Sequence, residues 1–198
     1  MRKVLLVVSI CLLASAAVAF VHHHNASPVS ERHALLTQAT QGSAEAQYKL
    51  GALYVLGEGG PQDDTEAAQW FRKAAEQGYV DAQIALALMY AAGLGVPPDI
   101  TEAAKWYREA ADQGDVEAQA ALAALYYHGR GVPQSKLFAY QWATISTSNP
   151  LLPPEDRSTV QEVLDTLTAE LAPTEIAEAE KLAKQWEARS GDGSHTTR

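Results

Sequence analysis

The sequence predicts an all-helical protein built from repeated antiparallel helix pairs, an α-solenoid. Three observations carry this reading. The chain is self-similar at a step of 36 residues, its apolar positions recur at helical spacing inside each period, and glycines and short polar residues stand where such helices would end and begin.

The period is read directly. Gln41-Gly42, Gln77-Gly78 and Gln113-Gly114 recur at 36 residues, as do Ala46-Gln47, Ala82-Gln83 and Ala118-Gln119. Leu50, Leu86 and Leu122 align, then Tyr54, Tyr90 and Tyr126, and then Trp70, Trp106 and Trp142. Residues 41–76 and 77–112 share 18 of 36 positions, so repeat one is 41–76, repeat two is 77–112 and repeat three is 113–148.

Each period holds two helices. Ala46, Leu50, Leu53 and Tyr54 give one helical stripe, and Ala67, Trp70, Phe71 and Ala74 give the next. The first helix should close at Gly57, Gly93 or Gly129, because glycine takes the left-handed conformation without steric cost. The second should open at Asp63, Asp99 or Ser135, whose side chains accept from free backbone amides. Asp63 with Glu66, and Asp99 with Glu102, have the spacing of capping boxes, while repeat three carries Phe138 in place of the glutamate. The three aligned tryptophans sit at core spacing rather than as surface platforms.

Ser27-Pro28 supplies a cap and a first-turn proline, so 27–40 reads as an N-terminal half-repeat covering the open side of the stack. After Trp142 the period fails, and Ser146 to Pro153 reads as a turn. Two closing helices are expected within 154–189. One carries Val160, Val163, Leu164, Leu167 and Leu171, and the other, beginning after Pro173, carries Ile176, Ala179, Leu182, Ala183 and Trp186. Glu175, Glu178, Glu180, Lys181, Lys184 and Glu187 would give the second a polar outer face, as the end of a repeat array requires. Residues 190–198 read as a disordered tail.

Residues 1–19 join Arg2 and Lys3 to an apolar run and end in Ala17-Val18-Ala19, the pattern of a cleavable secretory signal. Cys11 follows Ile10 rather than a small residue, which argues against lipid attachment. Cleavage removes the only cysteine, so the mature chain would rely on packing without disulfides. It also removes two basic residues, taking the formal charge from -9 to -11. That balance excludes nucleic acid as a partner, since phosphate binding needs a basic footprint. A periplasmic or secreted location, without membrane insertion once the signal is cleaved, follows.

Little here points to reaction chemistry. The Gly57-x-Gly59 loops have no preceding strand and no following Gly-Lys-Ser/Thr, so they read as helix-ending turns rather than phosphate cradles. His22-His23-His24 lies just after the cleavage site with no carboxylate beside it, which suits adventitious metal binding by a flexible end, so no metal site is assigned. No nucleophile stands with a base in any familiar pattern, and no cofactor is expected. Asn25-Ala26-Ser27 matches a glycosylation acceptor, but a chain of bacterial character would leave it unused.

Ala-Gln-x-x-Leu, Tyr-x-x-Gly-x-Gly and Ala-x-x-Trp-Phe/Tyr-x-x-Ala-Ala-x-Gln-Gly at this period resemble the Sel-one-like repeat, a relative of the tetratricopeptide repeat. Ala139-Tyr140-x-Trp142 together with Pro173 to Trp186 is similar to the closing unit of exported bacterial members, except that Ala172 stands where a threonine cap is usual. The resemblance implies a right-handed superhelix that acts as an adaptor, assembly factor or regulator through protein contacts. It also implies that the first helix of each pair lines a concave face. By register those positions are Glu45, Tyr48, Ala52, Val55 and Leu56, then Asp81, Ile84, Leu88, Ala91 and Ala92, then Glu117, Ala120, Ala124, Tyr127 and His128. Such a face is apolar with an acidic first rung, suited to an apolar or basic peptide or helix. Leu88 and Tyr127 stand out as large groups where the aligned residues are small. The expectation is a monomeric, non-enzymatic scaffold of the bacterial envelope. The alternatives are a self-assembling component stacked through ends near Ala34 or Trp186, and an enzyme.

Overall fold

A computed structural model describes residues 27–191, so the expected signal, the histidine triplet and most of the expected tail lie outside the described residues. Nine helices form, with no strand among the described residues: α1 (Pro28–Thr40), α2 (Ala44–Leu56), α3 (Asp64–Ala75), α4 (Val80–Ala92), α5 (Ile100–Asp112), α6 (Val116–His128), α7 (Lys136–Ser148), α8 (Pro154–Glu170) and α9 (Pro173–Gly191). Two compact units divide the chain after Trp106, inside α5.

In the first unit α2 packs between α1 and α3, and α3 packs on α4. Leu50, Leu53, Phe71, Leu86 and Met89 are sealed inside it. The α2–α3 pair is close because position 51 has no side chain: a Cβ there would stand 2.7 Å from the Phe71 ring. Trp70 is buried, with the Lys73 ammonium 3.7 Å above its ring.

Helix ends follow the punctuation. Gly57 and Gly93 close α2 and α4 in the left-handed conformation, at φ 69°. Gly95 is required for space as well, since a Cβ on it would stand 2.0 Å from the Asp64 carbonyl oxygen. Asp63 opens α3 by accepting from the Thr65 and Glu66 amides, each at 3.0 Å, and Asp99 does the same for Thr101 and Glu102. The capping boxes, however, are only half made. The amides of Asp63 and Asp99, which the glutamates would have bound, donate instead to the carbonyls of Tyr54 and Tyr90 at 3.0 Å. Ser135 in the second unit makes the same bond to Tyr126 at 3.0 Å, which explains why Phe138 is tolerated there.

The second unit is organised around α7, which packs on α6, α8 and α9. Trp142 and Trp186 are both buried and meet edge to face, their ring centroids 5.8 Å apart. The closing helix α9 lies on α7 through Trp186. Its missing cap at Ala172 is offset from the other direction: the Glu175 carboxylate accepts from the Ala172 amide at 2.8 Å. The turn before α8 is held by Arg157, which donates to the carbonyls of Thr147 and Asn149 at 2.5 and 2.8 Å. Glu175, Glu178, Glu180, Lys181, Lys184 and Glu187 are all exposed on α9. Trp106 departs from the core pattern of the other two repeat tryptophans in being only half-buried, while its enclosed indole N–H without an acceptor is shared with Trp70.

Candidate interaction faces of the first helices

In the first unit, α2 and α4 bring Glu45, Tyr48 and Asp81 into one neighbourhood. The Tyr48 ring lies 5.2 Å from Tyr79 and 5.6 Å from Phe71, so it is wedged between the second helix of its own repeat and the residue that opens α4. Burial, then the Asp81 carboxylate and Tyr79, push the Tyr48 hydroxyl well above its ordinary range. Burial, Asp81 and Glu45 raise Tyr79 in the same direction, and burial alone raises the Asp81 carboxyl. Glu45 stays exposed and pairs with Lys49 at 2.5 Å. Phenols held protonated among carboxylates can donate hydrogen bonds but make poor nucleophiles.

The large apolar positions of this unit do not reach the surface. Tyr48, Val55, Ile84 and Leu88 are 4%, 8%, 4% and 8% exposed. Neighbouring side chains close over them, so they hold the unit together and have little area left to offer a ligand. Ala52 and Ala92 are buried as well, while Leu56 and Ala91 are partly covered.

In the second unit the same columns of α6 remain accessible. Ala124, aligned with Leu88, is exposed; Ala120, aligned with Ile84, is partly so; Glu117 and His128 are exposed. Tyr127 is half-buried and packs on the cluster of Ala139, Leu167 and Leu171, so packing does demand a large group there. His128 stands edge-on to it, ring centroids 4.9 Å apart. Among the described residues no group of three or more His, Cys, Asp or Glu is placed to hold a metal ion, and no helix is long and apolar enough to cross a membrane.

Two recurring sets of contacts were not anticipated from sequence. Gln47, Gln83 and Gln119 are buried and donate their side-chain amides to the carbonyls of Ala39, Ala75 and Ala111, at 3.0, 3.2 and 3.3 Å. Each thereby joins the Gly42, Gly78 or Gly114 amide as a second donor to a carbonyl at the end of the preceding second helix. Arginines clamp the aligned tyrosines: Arg72 donates to the Tyr90 hydroxyl, Arg108 donates to the Tyr126 hydroxyl, and the Arg32 guanidinium lies 3.7 Å from the Tyr54 ring centre. The recurrence of Gln and Tyr at 36 residues was a visible signal, but its partners were backbone carbonyls and arginines that periodicity does not identify.

Comparison with known proteins agrees with this architecture. The Sel1 repeat model matches residues 44–79, 80–115 and 116–149, the same period phased three residues later, over more than half of the chain. Among solved structures, a protective antigen of uropathogenic Escherichia coli displaying an SLR fold is similar at a TM-score of 0.66 and 29% identity, over 83% of this chain and 35% of that one. A Sel1 repeat protein from Oxalobacter formigenes is similar at a TM-score of 0.62 and 30% identity, over 72% of this chain and 58% of that one. The chain thus spans about a third and somewhat over half of these two relatives. A search of curated proteins gives no match. With three consecutive repeats matched, the chain belongs to the Sel1 repeat family.

Proposed function

We propose that this chain is an exported, non-enzymatic scaffold of the bacterial envelope that binds a protein partner, with α6 of the third repeat as the docking helix. Sel1 repeat proteins generally mediate protein–protein interaction. The observation that carries the finer reading is the contrast within one column: Leu88 is buried, whereas the aligned Ala124 is exposed between Glu117 and His128 on the same helix. A shallow apolar strip with a carboxylate at one end favours an apolar helix or peptide with a basic residue over an acidic one. The export reading rests on the leader-like composition of residues 1–19.

Pull-down from an envelope extract, with the mature protein and its Ala124→Arg variant as paired baits, tests this. A partner retained by the first and lost by the second, at equal melting temperature, supports α6 as the docking helix. A partner held equally by both would move the site elsewhere, first to Glu45 and Asp81 of the other unit. Self-assembly is favoured by one feature, the exposure of Val29 and Leu36 on α1, and a monomeric mass by light scattering at tens of micromolar would remove it.

A further inference from the structure

We draw no further inference here: the strongest candidate, Leu151, which is 79% exposed on the α7–α8 turn that Arg157 holds in place, is an unpartnered apolar group and nothing in the structure shows what covers it.

Discussion

The backbone amide of Asp63 donates to the carbonyl of Tyr54 at 3.0 Å, tying the opening of the second helix of repeat one to the last turn of the first. The Asp63 carboxylate remains free to cap α3, and Glu66 is left without the capping role its spacing implies. Asp63→Ala should therefore lower stability by about 1 kcal/mol, the ordinary value of an N-cap. Glu66→Ala should cost a few tenths at most. Urea unfolding of the two variants distinguishes this from a reciprocal box, in which both would fall by similar amounts.

Gly51→Ala gives a second expectation with an unusual sign. Replacing glycine inside a helix ordinarily gains about 1 kcal/mol. Here the new methyl would meet the Phe71 ring at 2.7 Å, and that ring is 1% exposed with little room to retreat. Overpacking of this kind costs about 1–3 kcal/mol, so the variant should melt lower than the parent. In a Phe71→Leu background the penalty should shrink or reverse, which thermal melts of the four chains would show.

Buried phenols set the alkaline limit. Burial is the leading cause that raises both Tyr48 and Tyr107, with Asp81 adding to the first and Glu117 to the second. A phenol whose folded pKa exceeds its unfolded one holds its proton more tightly in the native state. Its contribution to stability is complete below about pH 10, the unfolded value, and is lost as pH climbs toward the folded value. Absorbance titration should show a late class among the eight tyrosines that appears only with unfolding. Ionisation of all eight near pH 10 with the helices intact would contradict the burial.

Trp142 and Trp186 should behave as one unit of packing. Each alone, changed to alanine, should cost about 3–5 kcal/mol. Because the rings touch, the double variant should cost clearly less than the sum. Trp106→Ala should cost less than Trp142→Ala, since Trp106 is only half-buried. Denaturant unfolding of the single and double variants provides the comparison, and strict additivity would mean that the edge-to-face contact contributes nothing.

How far these features were legible depends on whether the cause is local. Gly57 and Gly93 close helices because of their own backbone freedom, and Ser27, Asp63 and Ser135 cap them through bonds to residues two or three positions ahead, so sequence alone located those ends. Helical spacing also put Ile84 and Leu88 on one stripe of their helix. It could not say what lies opposite, so side chains that proved buried were assigned to an open face. Glu66 was misassigned for the same reason, because the acceptor that takes the Asp63 amide in its place, the Tyr54 carbonyl, stands nine residues before Asp63 across a turn. The course of α9 depends on Trp186 meeting Trp142, a contact between helices that no periodicity announces.

The buried glutamines bear on how such a chain can change over generations. Gln47, Gln83 and Gln119 each complete a helix that belongs to the preceding period. Gaining or losing a whole 36-residue period adds or removes one donor together with one acceptor, so the balance between them is preserved. A gain or loss of any other length would strand a buried glutamine amide, at about 1–3 kcal/mol for each one left alone. Duplication and deletion in whole periods are thus the least disruptive changes of length open to this architecture, and the side chain that makes them tolerable sits in the second position of each Ala-Gln pair.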